Sequence, residues 1–110
     1  MITVADFERV EMRVGRIVSA DPFPEARRPA YRLVIDFGPP LGTRASSARL
    51  TAHYRLEDLV GRLCVAVTNF PPKQIGPHRS EVLVLGVPDE RGEVVLLHPD
   101  QDVPLGGRVF

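Results

Sequence analysis

Few residues in this chain could do covalent chemistry. There are three histidines, His53, His78 and His98, and a single cysteine, Cys64. No histidine stands at a metal-ligand spacing from the cysteine or from another histidine, so no zinc site is read. No close-spaced acid pair sits beside a histidine to act as general acid and base. Ser46 and Ser47 have no base nearby in sequence to activate a hydroxyl. There is no G-x-S-x-G, Walker A or dinucleotide fingerprint. Gly38-Pro39-Pro40-Leu41-Gly42 holds too much proline to present a row of backbone N–H groups to a phosphate. The chain is therefore expected to bind rather than to catalyse, with no cofactor and no metal.

Binding chemistry is better represented. The 14 basic and 14 acidic residues cancel, and the pI is near 6.8, which argues against a general nucleic-acid binder. The distribution is uneven, however. From Pro22 to Arg55 the bases Arg27, Arg28, Arg32, Arg44, Arg49 and Arg55 face only Glu25 and Asp36. From Glu81 to Asp102 the acids Glu81, Asp89, Glu90, Glu93, Asp100 and Asp102 face only Arg91. The basic region reads equally as a phosphate-tracking groove, a solvated surface or half of a self-complementary dimer contact. Phe23, Phe37, Tyr54, Phe70, Pro71, Pro72 and Ile75 lie in or near the same loops. Rings beside arginines suit unstacked bases with their phosphates or an extended peptide in apolar pockets. The low net charge favours peptide.

These groups are positioned by one stretch above all, Asn69 to Val82. It contains Pro71, Pro72, Gly76 and Pro77, and apolar β-type runs flank it. Neither helix nor central strand is expected to run through it, so it reads as a stiff loop between strands. Before it, Thr3 and Asp6 make a capping-box pattern for a helix over Val4 to Arg9 that turns Phe7 and Val10 inward. A strand from Val10 to Ala20 changes phase at Gly15-Arg16, which predicts a bulge or a sharp coil there. Tyr31, Leu33, Ile35 and Phe37 share one face of a second strand. A third runs from about Arg44 to Ala52. Leu56, Leu59 and Val60 mark a helical turn ending at Gly61. Leu63 to Thr68 is a fourth strand, Val82 to Leu85 a fifth buried on both faces, and Val94 to Leu97 a sixth.

This is one domain, residues 1–110, of all-β class: a five-stranded OB-fold Greek-key barrel with a short N-terminal helix and a short helix between strands three and four. With 44% hydrophobic residues it can build a real core. One cysteine permits no internal disulfide. No apolar run approaches the ~20 residues of a membrane span, so no membrane insertion is expected and the protein reads as cytoplasmic.

The runs Arg13-Val14-Gly15-Arg16-Ile17, Pro24 to Tyr31, Ile35-Asp36-Phe37-Gly38, Ser46-Ser47-Ala48 with Leu50-Thr51, Leu59-Val60-Gly61-Arg62, Asn69-Phe70-Pro71-Pro72 with Gln74-Ile75-Gly76, and Ser80 to Gly86 span nearly the whole chain. In that order they resemble the CsaA family of secretion chaperones. These are relatives of the tRNA-binding domain attached to some methionyl-tRNA synthetases. The resemblance implies a homodimer with a C-terminal dimerisation extension. It also implies binding of unfolded or precursor polypeptides and cooperation with the export motor SecA. By residue type, Phe23, Phe37, Phe70, Pro72 and Ile75 are expected to form the peptide groove.

The alternative is a trans-acting tRNA-binding module. The tRNA-binding relatives carry an Asn, a downstream basic position and an S-x-G-M run in the long loop, and an Arg before an S-G pair in the third strand. Asn69, Lys73, Ser80, Arg44 and Ser47 occupy matching positions. Arg27, Arg28, Arg49 and Arg79 would join them in an RNA site. Glu81-Val82-Leu83 replaces the Gly and Met, and an acid there opposes a phosphate.

Overall fold

The computed structural model describes all 110 residues. The chain runs α1 (Val4–Glu8), β1 (Met12–Pro22), β2 (Tyr31–Asp36), β3 (Thr43–Ala48), α2 (Leu56–Leu59), β4 (Leu63–Val67), β5 (Lys73–Ile75), β6 (His78–Ser80), β7 (Leu83–Val84), β8 (Gly86–Pro88) and β9 (Val94–Leu96). The main sheet is antiparallel, in the order β3-β2-β1-β4-β7, and two hairpins, β5-β6 and β8-β9, complete the β structure. It is the expected OB-type barrel.

Thr3 caps α1 as its sequence implies. Its hydroxyl accepts from the Asp6 N–H at 3.2 Å while the Asp6 carboxylate accepts from the Thr3 N–H at 2.9 Å. α1 buries no residue, and Phe7 and Val10 are only half-buried.

β1 is long enough to serve two partners. Met12 to Arg16 pair with β4, and Arg16 to Pro22 pair with β2. The bulge lies between Ile17 and Ser19, not at Gly15-Arg16. Gly15 has a different task. A Cβ there would sit 2.5 Å from the Ile35 Cγ2 and within 2.9 Å of the Phe37 ring. The barrel wall closes onto Phe37 only because position 15 has no side chain.

The interior is built by Ile17, Leu33, Ile35, Phe37, Leu50, Leu59, Cys64, Ala66, Val82 and Leu96. The strand-two alternation is realised, since Leu33, Ile35 and Phe37 are all fully or nearly fully buried. β3 stops at Ala48, short of Ala52. The fifth strand shrinks to Leu83–Val84, and Leu83 is 49% exposed, so it is not buried on both faces. A run of four apolar residues cannot tell its inner face from its outer one until the neighbouring strand is known.

The seam of the barrel lies between β3 and residues 80–82. The Glu81 N–H donates to the Ala45 carbonyl at 2.8 Å, and the Ala45 N–H donates back to the Glu81 carboxylate at 3.0 Å. Ser46 Oγ donates to the Val82 carbonyl at 2.8 Å, which satisfies the one buried polar side chain of the core. The tail runs beside β1 through an isolated bridge of Arg108 to Arg13, with the Gly106 N–H on the Val14 carbonyl at 2.8 Å and the Val109 N–H on the Met12 carbonyl at 2.8 Å. A Cβ at Gly106 would lie 2.7 Å from the Phe37 carbonyl oxygen. Phe110 beyond it finds no place on its own barrel and is fully exposed. No helix is long and apolar enough to cross a membrane.

Cys64 is fully buried in β4, and burial pushes its thiol up to about 12. The thiolate is the reactive form. Native protein is therefore expected to resist an exposed-thiol reagent at neutral pH, and denatured protein to react at once. Rapid stoichiometric labelling without denaturant would contradict this.

Candidate polymer-binding groove

The proline-rich stretch is not a plain loop. Lys73, Gln74 and Ile75 pair antiparallel with Ser80, Arg79 and His78 in a hairpin turned by Gly76-Pro77. The prolines fall where no ladder N–H is lost: Pro71 and Pro72 precede β5, and Pro77 sits in the two-residue turn. Three contacts hold the hairpin to the barrel. Ser80 Oγ accepts from the Ser47 N–H at 3.3 Å, the His78 ring nitrogen Nε2 lies 3.0 Å from the Ser46 carbonyl, and the His78 ring meets Phe23 edge-on at 5.3 Å.

Between this hairpin, the loop after β1 and the end of β3 lies a groove of about 1050 Å³, roughly half of whose lining is hydrophobic. It brings together Phe23, Phe70 and Ile75 of the expected apolar set. Phe70 is 46% exposed, whereas Phe23 is 4% exposed and offers little surface. Phe37 does not belong to the groove, because it lies wholly inside the barrel on the face its strand phase dictates. Pro72 is exposed and does not line the groove.

Of the residues expected to hold RNA, Arg27, Arg28, Ser47, Arg49, Lys73 and Ser80 line the same groove. Arg44, Asn69 and Arg79 do not. Asn69 is committed to the fold: its side chain accepts from the Glu11 N–H at 3.0 Å and donates to the Arg9 carbonyl at 2.7 Å, tying α1 to the end of β4. Arg44 turns to the Thr43 carbonyl at 3.2 Å. Ser47 and Ser80 are bonded to one another across the seam. Glu81, the acid that follows Ser80, acts as a seam residue through Ala45.

Sequence reasoning missed Leu83, Val84 and Val94, which carry the apolar lining beyond Ile75. Their run reads as core, and only the exposure of Leu83 reveals otherwise. The basic stretch is not one patch. Arg27, Arg28 and Arg49 reach the groove, but Arg32 lies 5.9 Å from the Phe23 ring centroid and Arg55 pairs with Glu57 and Asp58.

The acids gather elsewhere. Asp89, Glu90 and Glu93 line, with His53 and Arg91, a second hollow of about 440 Å³ at the β8-β9 turn. Asp89 orders that turn. Its carboxylate accepts from the backbone N–H groups of Glu93 at 2.9 Å and Arg91 at 2.8 Å, and lies 2.7 Å from His53 Nε2. These bonds, that from Glu93 foremost, hold the Asp89 carboxyl below its ordinary value of 3.8. A depressed carboxylate stabilises the folded state fully above its ordinary value and stops doing so as pH falls through its lowered one. The β8-β9 turn is thus expected to loosen below about pH 4, and Asp89→Asn to loosen it already at neutral pH. Amide protection factors of Arg91 and Glu93, taken against the intrinsic exchange rate at each pH, measure this, and equal protection above and below that pH would contradict it.

Residues 12–108 match the family described as "Putative tRNA binding domain". The chain belongs to this family, in its CsaA branch. The structure superposes on the crystal structure of chaperone CsaA from Bacillus anthracis str. Ames with a TM-score of 0.94 and 48% identity, covering 100% of this chain and 99% of that one. CsaA chaperone protein from Picrophilus torridus gives 0.93 and 45%, covering 100% of both. Methionine–tRNA ligase 1 of Sorangium cellulosum is 38% identical over 97% of this chain, but the chain spans only 15% of that ligase. The likeness to the two CsaA structures thus extends over the full length of this chain.

Proposed function

We propose that this protein holds unfolded or precursor polypeptides in the groove, as a chaperone and not as a catalyst. The observation that carries the reading is the groove itself. Phe70, Ile75 and Leu83 stand at an open hollow beside flexible cations, which suits passive shielding of exposed apolar segments by mass action. Likeness over the full chain length to two CsaA chaperones supports it. The reading includes a cytoplasmic homodimer with one groove per subunit, so that one long client gains avidity by reaching both. It also includes delivery of clients to the export motor SecA.

The second reading is tRNA binding, favoured by the family match and by four cations at one groove. The two differ in salt response. Capture of RNA falls steeply with salt in proportion to the phosphates neutralised, and apolar capture changes little. Titration with an unfolded precursor and with tRNA at low and high salt separates them. The expected result is precursor binding that survives high salt. Phe70→Ala should weaken it about tenfold, as loss of an exposed aromatic anchor does. Tight tRNA binding with no precursor binding would overturn the proposal.

A further inference from the structure

We infer that the groove selects extended segments in which apolar residues are interleaved with acidic ones. The inference deepens the polypeptide-holding reading and rests on it. Its basis is a local imbalance of charge in a protein with none overall.

Four cations line the groove, Arg27, Arg28, Arg49 and Lys73, and all four are exposed. None of them makes an ion pair, although Arg13 and Arg55 elsewhere find carboxylates at 2.9 to 3.6 Å. Two acids line the same space, Glu25 and Glu81. Glu81 is half-buried and occupied by the Ala45 N–H in the barrel seam. Only Glu25 remains to balance four cations. None of the chain's other acids lines the groove, and three of them, Asp89, Glu90 and Glu93, are gathered at the β8-β9 turn.

A client with basic side chains would therefore meet uncompensated like charge, and an acidic one would complete pairs that the protein leaves open. The apolar surface between these cations rules the character of the ligand. Single-stranded nucleic acid needs successive rings to stack on, and this groove exposes one ring, Phe70; Phe23 is buried and its edge is engaged by His78. Ile75 and Leu83 instead suit aliphatic side chains. Negative charge with apolar side chains, rather than negative charge with bases, matches both features.

Three labelled peptides of equal length and identical apolar pattern test this, their intervening positions filled by Glu, Ser or Lys. Fluorescence anisotropy reads binding to the whole protein at low and high salt, with tRNA as a fourth ligand. The Glu peptide should bind about tenfold or more tighter than the Lys peptide at low salt, the sum of a few exposed charge pairs. Salt should compress the gap. Arg27→Glu combined with Arg28→Glu, both in an exposed loop, should invert the order while the melting temperature holds. If the Lys peptide binds as well as the Glu peptide or better, this inference is overturned and the holding role stands. If no peptide binds and tRNA does, the holding role itself fails. The wild-type series decides the matter alone should the double variant misfold.

Discussion

Phe37→Ala should cost about 3–5 kcal/mol, the usual penalty for emptying a buried aromatic site. Phe37 is 0% exposed, closes the core layer formed with Ile17 and Ile35, and receives β1 at Gly15. A domain of this size has about 5–15 kcal/mol of stability in all. The variant should therefore melt far lower, or fail to accumulate folded. Denaturant unfolding measures it. A loss near zero together with weakened ligand capture would return Phe37 to the groove and contradict the barrel interior described above.

Gly15→Val should be comparably severe for the opposite reason. Even a bare Cβ at position 15 meets the Ile35 Cγ2 at 2.5 Å and two carbons of the Phe37 ring at 2.8 and 2.9 Å. Those neighbours are themselves fully buried and have nowhere to retreat. Overpacking of this kind costs about 1–3 kcal/mol for one or two methylenes, and the branched side chain should reach or exceed the upper figure. The clash also predicts coupling. Gly15→Ala combined with Phe37→Leu should be less damaging than the two single losses added, by more than about 0.5 kcal/mol, because the smaller side chain vacates the space the new methyl needs. Strict additivity would mean that the two positions do not touch.

The order of elements was readable because each rests on local chemistry. Thr3 and Asp6 cap one another across three residues. Tyr31, Leu33, Ile35 and Phe37 keep a period of two. Leu56, Leu59 and Gly61 mark a short turn and its end. The same period of two also contained the correction for Phe37, since it shares its phase with two core residues. Assigning it to a surface groove by residue type set that phase aside. Other errors were not avoidable from the chain alone. Asn69 matches a family position, but its side chain is used by Arg9 and Glu11, some sixty positions away in sequence. Glu81 reads as an obstacle to phosphate until the seam is seen, where it completes the β3 edge through Ala45. The three prolines of the long stretch forbid a central strand, yet they permit a hairpin, because Pro71 and Pro72 precede its first strand and Pro77 lies in its turn. Arg27, Arg28, Arg49 and Lys73 converge only because the loop after β1 and the β5-β6 hairpin fold toward one another, with Glu25 lying 3.8 Å from where a Gly76 Cβ would be.

Amide hydrogen exchange on the full chain, with and without a saturating unfolded precursor, tests the central claim most directly. Protection should appear at Ala26–Arg28, at Ser47–Arg49 and along Lys73–Gly76, the three segments that frame the groove. Protection confined to the acidic turn at Asp89–Glu93, with the groove segments unchanged, would contradict it.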